Sequence, residues 1–330
     1  MKLGRRQLLI GSAGLAAASY LRGTTPSAAQ TTLHLAHSGE PVSIWQESAQ
    51  RFADDVFTLT QERVKVEVHP SSSLGPLPAQ AEGVQMGMVD LSINFSGILA
   101  NWAPELNLFG LPFLFRDFDS ANKAFDGEIE QWRREVVRQK CGAELLASCT
   151  SGFKTTLTTA RQVDTPDDLK GMRLRVPEIP ISIATFEALG ANVSPIAWAE
   201  TYMALQTGVV DGVEAATVTL LNARFNEVTR FASRTNHMIL DFSVIMNPGK
   251  LEALKPEDQD AVRKAATDNF KTWASAQFVE AEDKAWQDMT ANMDRNDTPD
   301  LAAFEAAVKP VVEKFVAEHD LSKIYDKISG

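Results

Sequence analysis

Two arginines lie one residue apart in the stretch GMRLRVP (171–177). Met172, Leu174 and Val176 alternate with Arg173 and Arg175, a period of two that reads as a strand with one buried face. A proline closes the run, so Arg175 sits at the C-terminal end of the strand. Open α/β sheets bind their ligands at that end. A guanidinium there offers a planar fork that matches a carboxylate through two parallel N–H···O bonds. Structural ion pairing is the competing role, because Asp and Glu are plentiful in this chain. Arg175 is expected to face a ligand, and Arg173, one pleat earlier, to make a structural salt bridge.

Little else in the sequence carries chemistry by motif. There is no G-x-S-x-G, no phosphate-binding glycine loop, no H-E-x-x-H and no C-x-x-C. The five histidines (34, 37, 69, 237 and 319) are scattered without a metal-ligand spacing. No cofactor and no metal is expected. Cys141 and Cys149 are separated by a strand-like stretch whose extended length, about 26 Å, far exceeds the ~7 Å that a disulfide spans. Both are expected to be unpaired and buried.

The elements that must position Arg175 follow from periodicity. TTLHLAHS, RVKVEVHP and MVDLSINFS alternate as strands. Residues 44–60 and 79–87 between them have helical spacing, and a charged helix is expected over 119–140, leading into the strand GAELLASC. From Ser151 the order repeats: GMRLRVP, the helix IPISIATFEALG, the strand ANVSPIA, the helix WAETYMALQTG, then VVDGVEAA. NHMILDFSVIMN (236–247) reads as a returning strand. From Pro256 one helix of about 33 residues is expected, with Val262, Ala266, Phe270, Trp273 and Gln277 on its apolar stripe; at about 50 Å it is long enough to brace two domains. Strands alternating with helices point to α/β architecture. The expected fold class is a two-lobed α/β binding-protein fold, with a mixed, mostly parallel sheet in each lobe. Lobe I would comprise 30–150 plus about 238–255, and lobe II 151–237 plus about 290–330. The bridging helix would cover about 256–289.

The first thirty residues combine Lys2, Arg5 and Arg6 with a short apolar run and small residues before Gln30. This pattern reads as an export signal over 1–29, with adjacent arginines of the twin-arginine type. The whole chain carries a net charge of −11, and removal of four basic and no acidic residues with the signal takes it to −15. Such a balance argues against nucleic acid and anionic membrane surfaces. It also makes a ligand-facing arginine stand out.

The ordered set FADDVF, VKVEVHPSSSLG, VQMGMVDLS, LPFLFRD, TPDDLKGMRLRVP, ALGANVSPIAWAETYMALQTGVVDGVE and LKPEDQDAVRKAA resembles the extracytoplasmic solute receptors of tripartite ATP-independent periplasmic (TRAP) transporters, the DctP-like family. The resemblance implies a periplasmic, monomeric receptor that closes on a small organic acid anion and hands it to TRAP permease subunits in the membrane. It implies that Arg175 clamps the carboxylate, and that Lys154 stands where a second arginine is common. Trp198 would pack over the ligand, and Glu214 matches the acidic residue of V-D-G-x-E. His37 and Asn94-Phe95-Ser96 would line the opposite wall. Ala215 departs from the asparagine of sialic-acid and many dicarboxylate receptors, which points to a smaller or less polar ligand end. The rival from another class is an exported α/β enzyme, a lyase or dehydratase acting on an organic acid with His37 or Glu214 as base.

Overall fold

The computed structural model describes residues 30–329. The expected export signal lies outside the described residues. The chain opens with β1 (Thr31–Ala36), α1 (Ile44–Leu59), β2 (Val64–His69), α2 (Leu77–Met86), β3 (Leu91–Asn94) and the single turn α3 (Ser96–Leu99). Helices α4 (Phe118–Ala124) and α5 (Gly127–Lys140) precede the 15-residue strand β4 (Glu144–Thr158). Then come β5 (Arg173–Val176), α6 (Pro180–Ala188), β6 (Asn192–Pro195), α7 (Trp198–Gln206), β7 (Gly212–Ala216) and α8 (Thr217–Asn222). β8 (Phe231–Ser233) and β9 (Ile239–Met246) lead through α9 (Pro248–Glu252) into α10 (Pro256–Ala266), a π-helical segment over Thr267–Ala274 and α11 (Ser275–Thr290). β10 (Asp294–Asn296), α12 (Leu301–Glu318) and α13 (Ser322–Ser329) end the described chain.

The strands run in the order β2-β1-β3-β9-β4-β7-β5-β6, with β8 on β4 and β10 on β8. Pairs β1–β2, β1–β3, β5–β6, β5–β7 and β8–β10 are parallel, and every antiparallel pair involves β4 or β9. β4 belongs to both halves. Its first part pairs with β9 and its last part with β7 and β8. The expected lobe break at residue 151 therefore falls inside one continuous strand. There the ladder to β9 slips between Thr150 and Phe153, and Gly152 has φ of 125°. A side chain at Gly152 is strained by its backbone and would also displace the end of Glu282. L-residues avoid that φ, and a Cβ would stand 2.9 Å from Glu282 Oε2.

Two helical expectations need correction. The helix over 119–140 is two helices, broken at Phe125 and Asp126. Asp117 and Asp126 cap the two pieces through their carboxylates, and Gly127 takes a left-handed φ of 57°. Residues 256–290 are continuously helical, but Trp273 packs on the core only partly buried, Gln277 is likewise half-buried, and the fully buried stripe shifts past them. The π-helical segment carries extra residues per turn and retards the phase. After Val262, Ala266 and Phe270 the buried positions become Ala274, Phe278 and Ala285. Phe270 and Phe278 pack on Phe242 of β9, at 5.8 and 5.9 Å between centroids. Trp286 and Met289, further along, enter a separate core with Leu157 and Val213. One helix thus contributes to both cores.

Cys141 and Cys149 are buried free thiols. Burial pushes both up, Cys141 to about 12. No helix among the described residues is long and apolar enough to cross a membrane.

Candidate functional site

β5 is buried through Leu174 and Val176, which enter a core with Phe186 and Phe304. Arg173 and Arg175 share the other face, yet their surroundings differ. Arg173, at the strand's open end, bonds Asp211 Oδ2 (2.9 Å) and the Gly208 carbonyl (2.8 Å) and is half exposed. Arg175 lies one pleat further, beneath the N-terminus of α7, and is only 3% exposed. Its Nε donates to the Ile196 carbonyl at 2.8 Å. No carboxylate among the described residues comes within ion-pair distance of it. Burial lowers its pKa to about 10, against the pull of Glu214 and Glu178, so it remains a cation at neutral pH.

The fork of Arg175 opens on a cavity of about 210 Å³ between the two halves of the sheet. One wall comes from the loop after β1 (Ser38, Gly39), the segment leading into α2 (Ser72, Gly75, Pro76) with the first residues of α2 (Leu77, Pro78), and Phe95 with Ile98. The other comes from Lys154 of β4, Arg175 and Glu178 after β5, the start of α7, and Glu214 with Ala215 of β7. Strand ends supply most of the second wall because the parallel pairs β5–β6 and β5–β7 place their C-termini side by side.

Lys154 and Glu214 form a buried ion pair across the antiparallel β4–β7 ladder, with Nζ 3.1 Å from Oε2. Lys154 Nζ also reaches Ser182 Oγ at 3.4 Å. His237 Nε2 lies 3.4 Å from Glu214 Oε2, close but not aligned as a hydrogen bond. Burial works against the charge of Glu214, yet Lys154, His237 and Arg175 together hold its carboxyl below the ordinary value. The charge of Lys154 is thus answered inside the protein. Arg175 is left as the cation of the cavity without a partner among the described residues.

Trp198 opens α7. Its ring centroid is 5.4 Å from the Arg175 guanidinium carbon and 4.8 Å from Phe225. Its Nε1 donates to Glu40 Oε1 at 3.1 Å, a bond from one wall of the cavity to the other. Burial raises the Glu40 carboxyl above its ordinary pKa, opposed by that same bond.

Five of the eight residues singled out in the sequence therefore surround one cavity: Phe95, Lys154, Arg175, Trp198 and Glu214. The other three stand behind its wall. His37 is fully buried, with Nε2 3.0 Å from Gln46 Oε1 and its pKa pushed by burial down to about 4. Asn94 donates to the Leu77 carbonyl and accepts from the Phe95 N–H, so it positions two lining residues. Ser96 turns inward, to Asp241 and Arg133. Sequence reasoning missed Glu40, Glu178 and His237. Glu178 follows the RVP motif directly and could have been flagged by adjacency. Glu40 and His237 carry no local signal, since only the fold brings them to Trp198 and Glu214.

Residues 35–319 match the family model described as bacterial extracellular solute-binding protein, family 7. The chain belongs to that family. It is 32% identical over 310 residues to a solute-binding protein of Roseobacter denitrificans, covering 92% of this chain and 94% of the other. It is 33% identical over 266 residues to the 2,3-diketo-L-gulonate-binding periplasmic protein YiaO of Escherichia coli, covering 81% and 79%. A crystal structure of a TRAP periplasmic solute-binding protein from Polaromonas, bound to D-erythronate, superposes with a TM-score of 0.86 at 28% identity, covering 91% of this chain and 99% of the other. Another from Roseobacter denitrificans, with bound L-galactonate, gives 0.81 at 29%, covering 88% and 99%. The two-lobed α/β binding-protein fold and the solute-receptor class follow. The exported-enzyme alternative has no support, because the matching family consists of solute-binding proteins.

Proposed function

We propose that this receptor binds a hydroxylated monocarboxylate, an aldonate- or uronate-like anion, with its carboxylate on the Arg175 fork. The observation that carries the reading is Arg175 itself. It is buried, singly bonded to a backbone carbonyl, and aimed into an interlobe cavity. A buried guanidinium without a counter-ion is costly, and a ligand carboxylate supplies one. The rest of the cavity favours hydroxyls over a second carboxylate. Glu178, Glu200 and Glu214 line it, and Lys154 is neutralised by Glu214. Carboxylates accept hydrogen bonds from hydroxyl groups and repel another anion. The ligands of the relatives, D-erythronate and L-galactonate, are acids of this kind. Trp198, joined to Glu40 across the cavity, would close over the bound acid.

In this reading the mature protein lies in the periplasm, acts as a monomer and delivers its ligand to TRAP permease subunits. The arginine pair Arg5-Arg6 would direct its export by the twin-arginine route. A thermal-shift panel of four- to six-carbon aldonates and uronates, with succinate and sialic acid beside them, tests the ligand class. With Kd near ~1 μM, ~1 mM of the right acid stabilises the native state by roughly 4 kcal/mol. A hydroxy monocarboxylate should raise Tm by several degrees and bind at least tenfold tighter than succinate. Tighter binding of succinate would overturn the assignment.

A further inference from the structure

The outer face of lobe I carries a second constellation, unrelated to the cavity. His34 of β1 and Glu67 and His69 of β2 lie far apart in sequence, but the parallel register pairs His34 with Glu67 and Ala36 with His69. Alternation then puts all three side chains on the same face. His34 Nδ1 is 3.0 Å from His69 Nε2 and 3.8 Å from Glu67 Oε2. One donor atom from each residue lies within 4.8 Å of the others.

We propose that His34, Glu67 and His69 form a binding site for a divalent first-row transition ion such as zinc. Two imidazole nitrogens each about 2.0–2.1 Å from zinc stand roughly 2.9–3.4 Å apart for angles between the octahedral and tetrahedral values. The two nitrogens share a hydrogen bond at 3.0 Å, a separation inside that window, and a bound ion would take the place of the shared proton. The carboxylate must close by a few tenths of an ångström, which a side chain that is 40% exposed can do by rotation. Lys65 Nζ donates to Glu67 Oε1 at 2.7 Å, which leaves Oε2 as the oxygen nearer His34. The backbone beneath is pinned, since the His34 N–H donates to Asp90 Oδ2 at 2.7 Å. Two imidazoles and one carboxylate suit zinc, nickel or copper, whereas calcium and magnesium prefer all-oxygen sites. Three protein ligands on a half-exposed face leave a position open to water or to an outside ligand.

The test uses the mature, tag-free chain, freed of metal with a chelator and titrated calorimetrically with zinc chloride at pH 7.5. The expected result is one equivalent of zinc bound with a micromolar Kd, and no binding of magnesium at the same concentration. His34→Ala and His69→Ala should each weaken zinc binding at least tenfold, and Glu67→Gln by less. All three should leave the circular dichroism spectrum and binding of the organic acid unchanged, because their side chains lie on the surface and outside the cavity. Absence of stoichiometric zinc binding, or binding that survives both histidine substitutions, would overturn the proposal.

Discussion

Two buried arginines of this protein show what separates a structural cation from a receptor. Arg133 of α5 is completely buried, and its Nε bonds Glu130 Oε2 at 2.9 Å. Its Nη1 reaches Ser96 Oγ at 2.9 Å and Asp241 Oδ2 at 3.4 Å. The rings of Phe109 and Phe125, stacked on each other at 5.7 Å, lie 4.8 and 4.6 Å from its guanidinium carbon. Arg175 is as deeply buried and also lies against an aromatic ring, but it has one backbone acceptor and no carboxylate at contact distance. The first guanidinium is answered by the protein and holds lobe I together. The second is answered only if something enters the cavity. The same contrast separates two buried glutamates. Glu214 is compensated by Lys154, whereas Glu282 accepts a single hydrogen bond, from Thr217, and burial pushes its carboxyl up to about 7.

Substitution of Arg175 breaks the comparison most directly. Arg175→Ala should weaken ligand binding by two to three decades, because removing one partner of a buried pair costs about 3–5 kcal/mol. The melting temperature of the ligand-free variant should fall much less than that of Arg133→Ala, since Glu214 keeps Lys154 and no carboxylate loses its only cation. Calorimetric titration and a melting curve on the same sample read both. A variant that binds tightly would mean that the carboxylate is held elsewhere. Arg133→Ala should do the reverse. It leaves Asp241 buried without a cation and Glu130 with Arg134 alone, at 3.4 Å, and should lower stability by about 3–5 kcal/mol in urea unfolding. Protein that still folds should keep its ligand affinity within about tenfold.

The glutamate pair sharpens the comparison through pH. A carboxyl whose pKa is higher in the folded state than its ordinary 4.5 favours the fold most at low pH. That contribution is lost as pH rises through about 7, so wild type should lose about 3 kcal/mol relative to Glu282→Gln between pH 4.5 and 7.5. Melting curves of the two proteins across that range should diverge as pH rises, and parallel curves would show that Glu282 is solvated. The smallest effect is expected at Arg173. Its pair with Asp211 is exposed and screened by solvent, so Arg173→Ala should change stability little and affinity by less than tenfold.

Much of the fold could be read without coordinates, because strand alternation and helical spacing are local. The strands around Leu33, Val66, Leu174 and Val213 and the helices between them stand where their periods place them. Local periodicity also separates the apolar face of β5 from its arginine face. It cannot say that Arg173 meets the Asp211 turn while Arg175 runs under α7, since that depends on which strand lies beside which. The long helix shows the limit of periodicity. The stripe from Val262 to Phe270 is legible, and the π-helical segment that moves it to Ala274 and Phe278 answers to the cores on either side. Glu40 reached Trp198, and His34 reached His69, only through strand order and register. Pairings across about 160 and 35 residues leave no trace in local sequence pattern. The sequence by itself determined the elements, the acidic balance and a guanidinium placed at a strand's end. Tertiary structure decided which charges are answered within the protein and which are left for a ligand, because compensation depends on distances between segments that sequence does not order.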